Sequence, residues 1–97
     1  MKENEIIIKI LTDKFSTLKD TYKIKSLGIF GSYKRNTQKK GSDVDLLVEF
    51  EAPIGLIEFV AIERQLSQLI GKKVDLVMKS ALKPRIGRHI LEEVEYI

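Results

Sequence analysis

Two patterns of apolar spacing alternate along this chain of 97 residues, and the alternation constrains its fold more than any other feature. From about Asn4 to Thr21 the apolar residues recur at three- and four-residue spacing, which is typical of a helix that buries one face. Short apolar runs predict strands at residues 24 to 30, at Asp43 to Phe50 and at Lys73 to Met78. Helices and strands are therefore expected to alternate.

Two further segments have helical character. An apolar stripe runs from Leu56 to Ile70 and ends at Gly71, a typical residue to follow a helix. The tail from Pro84 predicts a last helix, although Gly87 lowers its helical propensity. The complete pattern predicts one domain over residues 1–97 with an α/β (α+β) fold, in which helices pack against a small mixed β-sheet.

The composition excludes several classes of protein. With 43% hydrophobic and 32% charged residues, the chain resembles an ordinary globular domain. No apolar run approaches the roughly 20 residues that span a membrane, and the N-terminus is too polar for a signal peptide, so we expect a cytoplasmic protein. The net charge of +3 is modest, and direct nucleic-acid binding is not expected. Because cysteine is absent, a metal would need oxygen ligands or His89, and oxygen ligands favour Mg²⁺, Mn²⁺ or Ca²⁺.

Asp43 and Asp45 stand two positions apart in the second predicted strand. Side chains alternate along a strand, so both carboxylates are expected on one face, with their Cα atoms about 6 to 7 Å apart and able to share one or two cations. Asp75 interrupts the third apolar run, where a carboxylate is costly unless it is paired, bound to a metal or at a sheet edge. Taken alone, the Asp43–Asp45 pair is explained more simply as a strand start, with Ser42 in a turn.

Gly31 and Ser32 directly follow the first predicted strand. Glycine lets the backbone turn tightly and approach a ligand, and amides and the Ser32 hydroxyl can donate to phosphate oxygens if a helix begins there. The simpler interpretation is a plain turn in which Ser32 is the N-cap of a short helix. Only the combination of this turn with the acidic residues indicates a metal-dependent phosphate site.

In combination these features resemble the signature of the DNA polymerase β-like nucleotidyltransferase superfamily. The matching residues are Gly31-Ser32, Arg35, the segment Ser42-Asp43-Val44-Asp45-Leu46, and Asp75 in a later strand. The tail from Leu82 to Glu93 is also similar to the minimal nucleotidyltransferase (MNT) group, whose members keep little beyond the catalytic domain. The resemblance covers nearly the whole chain and implies the polymerase β-like nucleotidyltransferase fold.

The resemblance implies roles for the matching residues. The catalytic carboxylates that would hold two Mg²⁺ ions are Asp43, Asp45 and Asp75. The residues that would contact ATP or another nucleoside triphosphate are Gly31, Ser32, Arg35 and Ser42. The implied reaction is the transfer of a nucleoside monophosphate, most simply AMP from ATP, to a hydroxyl group, with pyrophosphate as the leaving group.

The resemblance also implies a partner. MNT proteins pair with small all-helical HEPN proteins, which are ribonuclease toxins, and act as their antitoxins by transferring AMP to a tyrosine hydroxyl of the toxin. Two alternatives remain open from the sequence. The chain could be a non-catalytic module that binds a nucleotide or the toxin, or it could be a nucleotidyltransferase that modifies a small molecule.

Overall fold

The computed structural model describes residues 1–97 and contains four α-helices and four strands. The helices are α1 (Glu3–Tyr22), α2 (Gly31–Arg35), α3 (Leu56–Ile70) and α4 (Pro84–Glu93). The strands are β1 (Ile24–Phe30), β2 (Val44–Phe50), β3 (Val74–Met78) and β4 (Glu95–Tyr96). None of the helices is both long and apolar enough to span a membrane.

The strands form one mixed sheet in the order β3-β2-β1-β4. β1 pairs antiparallel with both β2 and β4, whereas β2 and β3 are parallel. Strands that run in parallel begin at the same edge of the sheet, and the register places Asp45 of β2 directly beside Asp75 of β3. The α+β fold with a small mixed sheet that the sequence predicts is therefore confirmed.

One apolar core lies between the sheet and the two long helices, α1 and α3. Its fully buried side chains include Ile7, Leu11, Ile24, Leu27, Ile29, Leu46, Ile62 and Leu66. Burying an aliphatic side chain of this size contributes about 1.5 to 3 kcal/mol. The start of β2 is thus held rigidly, because Val44 and Leu46, on either side of Asp45, are both fully buried in this core.

The predicted element boundaries are nearly correct, and three details are wrong. β2 begins at Val44 and not at Asp43, so Asp43 lies just outside the strand. β3 likewise begins at Val74, one residue after the predicted start at Lys73. The two-residue strand β4 was not predicted, because its only support is pairing with Gly28 and Ile29 of β1.

β3 is an edge strand, and two of its backbone N–H groups are bound by side chains of α3. Ser67 Oγ accepts a hydrogen bond from the Val74 N–H at 3.0 Å. Glu63 Oε2 accepts one from the Leu76 N–H at 2.8 Å. A partly buried backbone N–H without a partner costs about 1 to 3 kcal/mol, so these two bonds help to fix β3 and with it Asp75, which lies between them.

Candidate active site

The three aspartates lie together where β2 and β3 begin. Asp45 is the second residue of β2 and is half-buried, and its neighbour in the parallel register, Asp75, is exposed. Adjacent strands are about 4.8 Å apart, so the two side chains are close neighbours. Asp43 precedes the strand, and its Oδ2 lies 3.9 Å from Lys73 Nζ. Because β3 is at the sheet edge, the exposed position of Asp75 carries no burial cost.

Gly31 brings the turn after β1 against the side chain of Asp45. The backbone of Gly31 has a φ of +77°, a conformation that residues with a Cβ rarely adopt. A Cβ atom added to Gly31 would lie 2.0 Å from Asp45 Oδ2. Glycine is therefore required here for both backbone conformation and space, and the tight turn predicted at Gly31 is present.

The electrostatic environment of Asp45 opposes its ionisation. Partial burial, followed by repulsion from the carboxylates of Asp75 and Asp43, raises the pKa of Asp45 to about 6, although the nearby Arg35 guanidinium acts in the opposite direction. Like charges this close are stabilised by a proton or a cation. The cluster therefore has an electrostatic preference for a bound cation.

Glu93 is a fourth acidic residue of the site, and sequence reasoning assigned it no role. Its Oε2 accepts a hydrogen bond from the Gly31 N–H at 3.0 Å, and its Oε1 forms an ion pair with the Arg35 guanidinium. Burial tends to raise the pKa of Glu93, but the bonds from Gly31 and Arg35 outweigh it and hold the pKa below its usual value. No local sequence pattern could predict this contact, because Gly31 and Glu93 are 62 residues apart.

The two serines have different surroundings. Ser32 lies in the first turn of α2, where its carbonyl accepts a hydrogen bond from the Thr37 N–H at 2.9 Å. The N-cap of α2 is Phe30 and not Ser32, so the Ser32 hydroxyl is not used for capping. Ser42 Oγ accepts a hydrogen bond from the Lys39 N–H at 2.9 Å and so closes the loop before Asp43. This bond matches the turn role considered for Ser42 from the sequence.

The carboxylates suit Mg²⁺ in chemistry, although no three acidic or histidine side chains lie close enough together to hold a single ion. Asp45 with either neighbouring aspartate nevertheless offers an all-oxygen ligand set, which Mg²⁺ prefers, and two ions can be bridged by such a pair. The residues therefore fit the metal that the family signature implies.

Residues 6–97 match the model of the nucleotidyltransferase domain family. The chain belongs to the nucleotidyltransferase family. The protein adenylyltransferase MntA of Thermococcus cleftensis is 44% identical over 93 residues, which are 96% of this chain and 94% of that protein. This similarity places the chain within the minimal, MntA-like group of nucleotidyltransferases.

Solved structures of nucleotidyltransferases have the same fold. A candidate minimal nucleotidyltransferase superposes with a TM-score of 0.78 and 27% identity, covering 98% of this chain and 95% of the other. A chain from the crystal structure of a toxin–antitoxin complex with AMP-PNP superposes with a TM-score of 0.69 and 25% identity, covering 99% of this chain and 72% of the other. The predicted polymerase β-like nucleotidyltransferase fold is confirmed.

Proposed function

We propose that this nucleotidyltransferase is a Mg²⁺-dependent protein adenylyltransferase that moves AMP from ATP to a tyrosine hydroxyl of a helical HEPN toxin and thereby acts as its antitoxin. The observation that carries the proposal is the position of Asp45. Its carboxylate is beside Asp75, near Asp43 and in contact with the Gly31 turn. The residues proposed as metal ligands thus lie next to the turn proposed to contact phosphate.

One group of residues would bind the β- and γ-phosphates of the triphosphate, and another would hold the metal ions at its α-phosphate. The Gly31 amide, the Ser32 hydroxyl and the Arg35 guanidinium are the donors that would hold the β- and γ-phosphates. The Gly31 amide already binds an anionic carboxylate oxygen at 3.0 Å, which supports its use for a phosphate oxygen. Asp45 lies beside this turn. Together with Asp43 it would hold two Mg²⁺ ions at the α-phosphate, and Asp75 would complete one of the two sites.

The reaction would be an in-line displacement at the α-phosphorus. The acceptor hydroxyl loses its proton to water, its oxygen forms the new bond to the α-phosphorus, and the bond to the β-phosphate oxygen breaks to release pyrophosphate. Bound Mg²⁺ would neutralise the phosphates and lower the pKa of the acceptor hydroxyl. The protein's contribution would be positioning and charge neutralisation, which need no covalent intermediate.

The acceptor is proposed from the relatives and from the exposure of the site. One similar protein is a protein adenylyltransferase, and a similar chain comes from a toxin–antitoxin complex with an ATP analogue. Asp75 is exposed at the edge strand, so a large acceptor such as a protein side chain can approach it. A tyrosine that gains an AMP group also gains negative charge and bulk, which would disturb an adjacent RNA-binding surface.

The proposal is tested by incubating the protein with a candidate helical HEPN partner, Mg²⁺ and ATP labelled on the α-phosphate. We expect label on a tyrosine of the partner, identified by mass spectrometry, and its loss by at least about 100-fold in Asp43→Asn and Asp45→Asn. Asp20→Asn, which changes an exposed aspartate of α1, is the matched control and should label normally.

Two outcomes would contradict the proposal. If both variants neutralise the toxin fully and the wild type leaves no label, the chain acts as a binding module and not as an enzyme. If label appears on an added small molecule such as an aminoglycoside, but not on the partner protein, the acceptor has been wrongly assigned.

A further inference from the structure

Glu93 occupies donors that the proposed function assigns to phosphate. One carboxylate oxygen lies 3.0 Å from the Gly31 amide nitrogen, and the other is paired with Arg35. A carboxylate and a phosphate use the same donors, because both present anionic oxygens to N–H groups. We propose that Glu93 closes the phosphate-binding part of the site in the free protein and is displaced when a nucleoside triphosphate binds. This inference rests on the proposed function and concerns the regulation of the same site.

The contact joins two parts of the chain that only the fold brings together. Gly31 begins α2 directly after β1, and Glu93 is the last residue of α4. The side chain of Glu93 is 21% exposed and that of Arg35 is 55% exposed. Arg35 is therefore open to solvent and Glu93 is partly so, and a phosphate can reach Arg35 and compete with Glu93 without unfolding of the surrounding structure.

The backbone around Glu93 is anchored, so displacement would be a rotation of its side chain. The Glu95 and Tyr96 backbones pair with β1, and the Ile97 N–H donates to the Leu27 carbonyl at 2.8 Å. Val94 lies so close to β1 that a Cβ atom added to Gly28 would be 2.5 Å from Val94 Cγ2. These contacts fix the end of α4 and leave the Glu93 side chain as the movable part.

The charge of Glu93 makes its competition with phosphate effective. Its pKa is held below the usual value by Gly31 and Arg35, so the group is anionic at neutral pH. It also adds to the repulsion that raises the pKa of Asp45. Displacing Glu93 from the turn would thus free the Gly31 amide and Arg35 for the triphosphate and would move one negative charge away from the metal ligands.

The test compares Glu93→Gln and Glu93→Ala with Glu92→Gln, which removes the same charge from an exposed neighbour that contacts neither Gly31 nor Arg35. Calorimetry would measure the dissociation constants of Mg²⁺-ATP and of Mg²⁺-tripolyphosphate for the whole chain. We expect both Glu93 variants to bind both ligands about three- to tenfold more tightly than wild type, because a weak ion pair no longer competes. Glu92→Gln should bind like wild type.

The amide resonance of Gly31 gives a second measurement that does not depend on turnover. Saturating Mg²⁺-ATP should shift it in the wild type, and Glu93→Ala should shift it before any ligand is added. Unchanged or weaker ligand binding by both Glu93 variants would overturn the inference and make Glu93 a fixed clamp between α2 and α4. If the wild type and every variant bind neither ligand, the proposed function itself fails, and the inference fails with it.

Discussion

Gly31 and Asp45 are in such close contact that no side chain fits between them: a Cβ atom on Gly31 would lie 2.0 Å from Asp45 Oδ2. The contact fixes the distance between the turn proposed to bind phosphate and the carboxylate proposed to bind metal. It also allows the effect on stability of adding one methyl group at Gly31 to be predicted.

Gly31→Ala should destabilise the protein by about 2 to 4 kcal/mol, because alanine is strained at a positive φ and its methyl group pushes Asp45 aside. Chemical denaturation measures the stability, and labelling of the partner should fall to background. Gly41→Ala is the matched control, since Gly41 also has a positive φ, +89°, but has no atoms within 4 Å of its would-be Cβ. Equal losses in the two variants would mean that the contact with Asp45 is unimportant.

The raised pKa of Asp45 predicts an unusual dependence of stability on pH in the metal-free protein. The pKa is about 6 in the folded chain and about 3.9 when unfolded, so the folded state binds more protons between these values and loses stability as the pH rises through them. Asp45→Asn removes this loss. After allowing for solvent screening, the variant should be more stable than wild type by about 1 to 2 kcal/mol at pH 7.5.

The difference between Asp45→Asn and wild type should disappear by about pH 3, where the Asp45 carboxyl is protonated in both the folded and the unfolded chain. Urea unfolding with EDTA present, repeated from about pH 3 to about pH 8, measures this difference. A difference that stays constant over this range would mean that ionisation of Asp45 is not its cause.

Mg²⁺ should stabilise the folded chain by relieving the same repulsion. A cation that binds only the folded state raises the melting temperature, by about 6 to 8 °C at tenfold excess over its dissociation constant. Thermal unfolding with MgCl₂ or EDTA at constant ionic strength measures the shift. Asp43→Asn and Asp45→Asn should lose most of it, while Asp20→Asn should keep it. A full shift in the first two variants would place the binding site elsewhere.

The effect of Gly87→Ala on stability should differ from the gain that helix propensity predicts. Alanine usually stabilises an exposed helix interior by about 1 kcal/mol relative to glycine. At Gly87, however, the new Cβ would lie 2.9 Å from Leu82 Cβ, so Gly87→Ala should be neutral or destabilising. A double-mutant cycle with Leu82→Gly checks the cause, because the usual gain should return once the Leu82 side chain is absent.

The sequence predicts most of the fold because the long elements carry their own signals. Buried residues of α1 recur at helical spacing, and the predicted strand at 24 to 30 coincides with β1. β4 could not be predicted in the same way, because two residues have no periodicity and depend entirely on pairing with β1. Local pattern suffices where an element buries its own apolar face, and it fails where a distant partner defines the element.

The same distinction between local signals and distant contacts applies to the residues of the candidate site. Asp43, Asp45 and Asp75 could be named because each lies in or beside an apolar run of the sequence, and the parallel register then places Asp45 beside Asp75. Their functional roles remain predictions. Glu93 gave no local signal, because its contact with Gly31 depends on where α4 ends in space.

Glu63→Ala should destabilise the chain by about 1 to 3 kcal/mol, because the Leu76 N–H loses its acceptor. Gln65→Ala, at an exposed position of the same helix, should have little effect. Urea unfolding compares the two. Glu63→Ala should also reduce labelling of the partner, since Asp75 is adjacent to the loosened residue. A stability loss shared by both variants would attribute the effect to α3 itself.

The same two bonds from α3 have a consequence for association. Edge strands with free backbone groups invite the addition of a foreign strand, whether from a partner or from a misfolded copy. On β3 the Val74 and Leu76 N–H groups are already taken by Ser67 and Glu63, so a foreign strand would have to displace these side chains before it could pair with this edge. A protein that docks beside Asp75 is therefore expected to recognise side chains and shape.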